Sequence, residues 1–184
     1  MTGALANLEI LPGDVFLTRS PTWLGRAIRA MTRSKDEPPT RVNHVGMFVS
    51  AARLRGATSI EALWHVRIGR FWRYYAGNSS KVAIYRHPDL DYDVRLAIAD
   101  DAMRAAGSRY ATWKIAFHAV GLGGLLRYGG RVICSSLVGG SYARRAGYRF
   151  RGKRGQTITP DDIDDDVRGT GWVRVLPLQR IGRG

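Results

Sequence analysis

Apolar and polar positions along this chain alternate in short runs, broken by a few stretches with helical spacing. Leu11-Pro12-Gly13-Asp14 has turn chemistry, and Val15-Phe16-Leu17 follows as a short strand. Ser20-Pro21 then offers an N-cap with proline at the first helical position. Beyond it Trp23, Leu24, Ala27, Ile28 and Met31 share one face, while Arg26, Arg29 and Arg33 fall mostly off it. The pattern predicts an amphipathic helix with a core-facing stripe and solvated arginines. After a polar loop over 35–41, Asn43–Val49 reads as a strand, with His44, Gly46 and Phe48 on one face and Val45, Met47 and Val49 on the other. Arg53–Thr58 is a basic connection, and Ser59–Val66 a second strand. There Ile60, Ala62 and Trp64 oppose Glu61, Leu63 and His65.

Further on, Ile68–Tyr75 mixes aromatics with arginine and reads as loop packing, although such interleaving can also stack on bases or sugars. Lys81–Arg86 is a strand stopped by His87-Pro88, and Tyr92–Ala106 is a helix stopped by Gly107. Gly121–Gly130 is glycine-rich without the Gly-Lys-Ser/Thr of a phosphate-binding loop, so a mobile loop is expected there. Val132-Ile133 leads into a helix through Cys134, Leu137, Val138, Tyr142 and Ala143. Thr159-Pro160-Asp161-Asp162 has a cap, a proline and acids in the first turn, which marks a helix start rather than a metal site. Gly171–Leu178 is the last strand. No repeat or linker divides the chain, so one domain over residues 1–184 is expected, of the α+β class: a mostly antiparallel sheet packed against the Cys134 and Tyr92–Ala106 helices.

Composition narrows the classes. A hydrophobic fraction of 45% and a charged fraction of 24% describe a globular chain. One cysteine excludes an internal disulfide framework. The first residues lack a basic stretch followed by an apolar run, and no apolar run reaches the ~20 residues of a membrane span, so a cytoplasmic protein is expected. The net charge is +14, carried almost wholly by arginine, with lysine only at 35, 81, 114 and 153. Such a field favours anionic polymers or a membrane surface without specifying a nucleic acid. The densest basic run, Arg144–Gly155, directly follows the cysteine helix.

Candidate chemistry centres on Cys134. A thiol in the first turn of a helix sits among backbone N–H groups without intrahelical partners, and the helix dipole favours its thiolate. No zinc-ligand pair is formed by one cysteine and histidines at 44, 65, 87 and 118, so no metal or cofactor is expected. No Gly-x-Ser-x-Gly elbow is present either. What remains is a thiol at a helix start, a histidine at a strand start and an acid on the adjacent strand, the set that cysteine hydrolases need. A glutamate inside an apolar strand is costly to bury unless paired; Glu61 either has such a partner or faces water on an edge strand.

Gly13-Asp14-Val15, Asn43-His44-Val45-Gly46, Ile60-Glu61-Ala62, Gly107-x-x-Tyr110, Cys134-Ser135-Ser136-Leu137-Val138 and Thr159-Pro160-Asp161-Asp162 occur in an order that resembles the circularly permuted papain-like amidases, the YiiX/YaeF-like branch of the NlpC superfamily. The resemblance covers roughly residues 11–165. It implies a permuted papain-like fold with the histidine preceding the cysteine. It also implies Cys134 as nucleophile, His44 as base, Glu61 as orienting residue and Tyr110 near the nucleophile, with His65 on the same predicted face as Glu61. The implied activity is thiol-dependent cleavage of an amide such as those of peptidoglycan stem peptides, on a peptide or acyl-amide substrate. Two other readings stand beside it: an acyltransferase or esterase acting on lipid acyl groups with the same triad, and a non-catalytic basic adaptor for nucleic acid or acidic polymer.

Overall fold

The alternating runs assemble into a six-stranded antiparallel sheet in a computed structural model that describes residues 2–23, 25–26, 29, 41–63, 65–107, 134–152 and 158–183. The elements are α1 (Thr2–Ala6), β1 (Glu9–Ile10), β2 (Val15–Arg19), β3 (His44–Phe48), β4 (Ala52–Arg53), β5 (Thr58–Ala62), β6 (Val66–Arg70), α2 (Phe71–Tyr75), β7 (Lys81–Arg86), α3 (Tyr92–Met103), α4 (Cys134–Arg145), α5 (Pro160–Gly169) and β8 (Val173–Arg180). The sheet order is β6-β5-β3-β2-β7-β8, and β1 pairs with β4 apart from it. Trp23, Gly25, Arg26 and Arg29 are helical, as the amphipathic pattern predicts. Leu24, Ala27, Ile28, Met31, Tyr110 and the Gly121–Gly130 segment lie outside the described residues. The α+β class expected from the sequence is therefore observed.

Strand alternation divides the two faces. Val15, Leu17, Val45, Met47, Ile60 and Tyr85 face α3, α4 and α5, whose Ile98, Leu137, Val138, Tyr142 and Ile163 fill that core. Phe16, Phe48, Val82 and Ile84 face the other way, against Phe71 and Tyr75 of α2 and against Ile10 and Leu54. Fully burying one such side chain is worth about 1.5–3 kcal/mol, so packing on both faces holds the sheet against its entropy cost.

One strand differs from the sequence expectation. The apolar run continues to Val66, but β5 ends at Ala62, and the chain doubles back so that Ala62 pairs with Val66 and Ile60 with Ile68. The stretch read as an aromatic-arginine loop is thus β6 and the helical turn α2. Folding back satisfies the backbone groups of residues 66–70 on β5, whereas one unbroken strand would carry them off the sheet.

The short motifs seen in the sequence are joined in space. Gly13 takes a φ of 80°, a region open to glycine, and its carbonyl accepts the Tyr142 hydroxyl of α4 at 2.5 Å. Asp14 is fully buried and accepts two hydrogen bonds from Arg86, at 2.8 and 2.6 Å, and one from the Leu11 N–H. Ser135 donates to the Ile158 carbonyl at 2.5 Å, just before the α5 cap. Gly13-Asp14, Cys134-Ser135 and Thr159-Pro160 therefore brace one another around α4.

Candidate active site

Cys134 lies at the N-terminal end of the described part of α4, with the Ser135 N–H of that turn directed at its thiol. It is 7% exposed and hydrogen-bonds with the His44 ring and with the backbone N–H groups of Val45 and Ser135. His44 opens β3 opposite Thr18. Its Nε2 lies 2.8 Å from Glu61 Oε2, which leaves Nδ1 for the thiol.

A glycine makes room for the Phe16 ring that packs beside His44. Gly46 faces Phe16 on β2 and Glu61 on β5 in register. A Cβ at Gly46 would lie 2.2 Å from Phe16 Cζ, so only glycine lets the Phe16 ring cross the strand there. That ring meets His44 edge-on, with centroids 6.5 Å apart, and walls it from the apolar side.

Glu61 is 1% exposed and its acceptor sites are filled. Oε1 accepts Arg67 Nε at 3.0 Å and Nη2 at 2.7 Å, while Oε2 accepts the Tyr75 hydroxyl at 2.6 Å as well as His44. The Arg67 guanidinium in turn lies 3.9 Å from the Tyr74 ring centroid, a cation–π contact. Of the two readings for Glu61, the partnered one is therefore observed. His65 sits exposed in the β5–β6 turn, away from this network.

The charges follow from these contacts. Burial would lower the His44 pKa, but hydrogen bonds to Cys134 and Glu61, and their negative charge, outweigh it and raise it to about 9. Burial would raise that of Glu61, but His44, Tyr75 and Arg67 together bring it down to about 2. The Cys134 thiol is likewise pushed up by burial and pulled further down by His44 and by the Val45 and Ser135 N–H groups. The contacts thus favour a thiolate–imidazolium pair backed by an ionised carboxylate.

Of the site residues expected from the sequence, Cys134, His44 and Glu61 meet, and Tyr110 lies outside the described residues. Arg67 and Tyr75 were not legible. Arg67 stands opposite Glu61 only once the hairpin turn is placed at 63–65, and Tyr75 arrives on a helical turn that the sequence reads as loop.

Fold and site together describe an α+β protein with a Cys-His-Glu hydrogen-bonded series between α4 and an antiparallel sheet. Among solved structures it resembles YiiX from Escherichia coli O157:H7, described as a metalloprotein, with a TM-score of 0.56 and 19% identity over 93% of this chain and 87% of that one. This likeness is one of fold. No protein-family model and no curated protein sequence matches the chain. Among the described residues no group of three or more His, Cys, Asp or Glu is arranged to hold a metal ion. Cys134, His44 and Glu61 are strung along hydrogen bonds rather than gathered about one point, so the described donors do not fit a metal centre.

Proposed function

We propose that this protein is a permuted papain-like cysteine hydrolase that cleaves an amide through an acyl-enzyme. The observation that carries the reading is the buried series from the Cys134 thiol through His44 to Glu61 at the start of α4. The order of the two residues along the chain, histidine before cysteine, supports the permuted form, and the likeness in fold to YiiX supports the YiiX-like part of the reading.

In this mechanism the thiolate attacks the carbonyl carbon. The N–H of Cys134 stabilises the oxyanion. The C–N bond breaks as the His44 imidazolium passes its proton to the leaving amine. Neutral His44 then takes a proton from water, whose oxygen attacks the thioester. The C–S bond breaks, releasing the acid and restoring the thiolate–imidazolium pair. Glu61 stays ionised throughout, holding Nε2–H and supporting the imidazolium. Peptides of the peptidoglycan-stem kind are the amide substrates to try first. Acyl lipids test transfer or esterase chemistry with the same groups.

The test is alkylation of Cys134 by iodoacetamide as a function of pH, in the native chain and in His44→Ala. The native thiol is expected to react rapidly well below pH 8.5, about the value of a free thiol, and the variant to titrate like a free thiol. Amide cleavage should fall above about pH 9, where His44 loses the proton it gives the amine, while alkylation persists. Equal, ordinary titration in both chains would leave the basic adaptor as the better reading.

A further inference from the structure

Three cations of the run that is densest in the sequence have carboxylate partners in space. Arg144 and Arg145 both bond to Asp101, at 2.7 and 3.1 Å, and Arg151 lies 3.7 Å from Asp166. A different set stands unneutralised. Arg19 pairs with Lys81 across β2 and β7, and Lys81 pairs with Arg180 across β7 and β8. Cross-strand partners point to the same face, so three exposed cations form a row about two strand spacings, or roughly 10 Å, long. Among the described residues none of the three is ion-paired with a carboxylate.

The row is extended by the helical segment that follows β2. Arg26 is exposed, and Arg29 donates to the Ser20 carbonyl at 3.0 Å. Arg29 is close enough to Arg19 and Arg26 that both oppose its charge. Beside them Trp23 is 74% exposed, the most exposed large hydrophobic side chain among the described residues. Asn43 fixes this segment to the sheet: its side chain bonds the Ser20 N–H and carbonyl at 3.1 and 3.2 Å. Asn43 directly precedes His44, and Thr18, next to Arg19, faces His44 in register. The cations and the tryptophan therefore lie at the end of the sheet where the thiol and imidazole meet.

We propose that this edge is a docking surface for an anionic lipid bilayer. A linear row of free cations meets a plane of negative headgroups better than it meets a compact anion, and a projecting tryptophan is the side chain that settles at the headgroup boundary. No described helix is long and apolar enough to cross a membrane, and attachment by this edge needs none. The surface brings the Cys134–His44 end of the molecule to the bilayer. Its existence does not depend on the hydrolase reading.

The experiment is co-sedimentation of the full chain with vesicles of phosphatidylcholine alone or mixed with phosphatidylglycerol. Binding to the mixed vesicles only is expected, with loss at 1 M salt, where the Debye length is about 3 Å. Arg19→Gln, Lys81→Gln and Arg180→Gln should each weaken it about fivefold. A control triple substitution, Arg55→Gln, Arg73→Gln and Arg104→Gln, removes from other exposed positions the same charge as the three row substitutions combined, and should weaken binding far less than that combined row variant. Vesicles should shift tryptophan emission to the blue, and the shift should vanish in Trp23→Phe. Matched melting curves establish that the variants fold. Cys134→Ala should bind as the native chain does, which separates docking from catalysis. Equal loss in row and control variants, an unaltered emission shift in Trp23→Phe, or row-dependent binding to heparin or DNA without binding to vesicles would each overturn the proposal.

Discussion

Glu61 shows how a carboxylate is kept ionised inside a sheet. Removing it from water costs several kcal/mol, and that cost is offset only when its lone pairs are taken up. Arg67 takes one oxygen, and Tyr75 and His44 share the other. Tyr75 thereby limits how strongly Oε2 can hold His44. Substituting Tyr75→Phe should lower stability by about 1.5–3 kcal/mol, measured by urea unfolding, because a hydrogen bond to a charged group is lost. It should also strengthen the remaining bond to His44 and move the upper step of the amide-cleavage profile above about pH 9. A loss of stability with an unchanged profile would reduce Tyr75 to packing.

At the scale of elements, α4 is held at both ends by its neighbours. Asp101 of α3 accepts Ser141 at 3.1 Å and Arg144 at 3.0 and 2.7 Å, which ties the two helices together. At its start, Ser135 is bonded to the carbonyl before the α5 cap. That cap is a reciprocal box: Thr159 Oγ1 accepts the Asp162 N–H at 3.1 Å, and Asp162 Oδ2 accepts the Thr159 N–H at 2.8 Å. Thr159→Ala should cost about 1 kcal/mol, seen as a lower urea midpoint with an unchanged slope, and Thr159→Ser should restore most of it.

For the whole molecule, the depressed acids set the response to low pH. Glu61 titrates at about 2 in the folded chain against a model-compound value of 4.5. Its contribution is therefore complete above about 4.5 and is lost as pH falls through about 2. Asp101 is shifted down as well: burial, which raises it, is outweighed by its bonds to Arg144 and Ser141. Asp14 and Asp164 are shifted up by burial, which works in the opposite direction. Unfolding free energy measured against pH should decline between about 4.5 and 2 in the native chain. In Glu61→Gln the decline should be shallower, and the two curves should converge at the acid end. Parallel curves would mean that Glu61 is not held ionised by its partners.

Local pattern was enough for most elements. The period-2 runs placed β2, β3 and β7, and the cap, proline and acids of Thr159–Asp162 placed α5, because backbone pairing and capping depend on neighbours in sequence. The order of short motifs singled out Cys134, His44 and Glu61 together. Sequence did not place the β5–β6 turn, since apolar residues run straight through it, and so could not set Arg67 opposite Glu61. Nor could it choose between Glu61 and His65 as the neighbour of His44: a shared predicted face says nothing of where the strand ends, and His65 falls in the turn. Charge was the quantity least readable along the chain. Arg144 and Arg145 are adjacent in sequence yet share the one carboxylate of Asp101, whereas Arg19, Lys81 and Arg180 become neighbours only through strand pairing. Which charges are free is decided by which residues tertiary structure brings within a few ångströms of each other, because Coulomb energies depend on that distance and not on position in the chain.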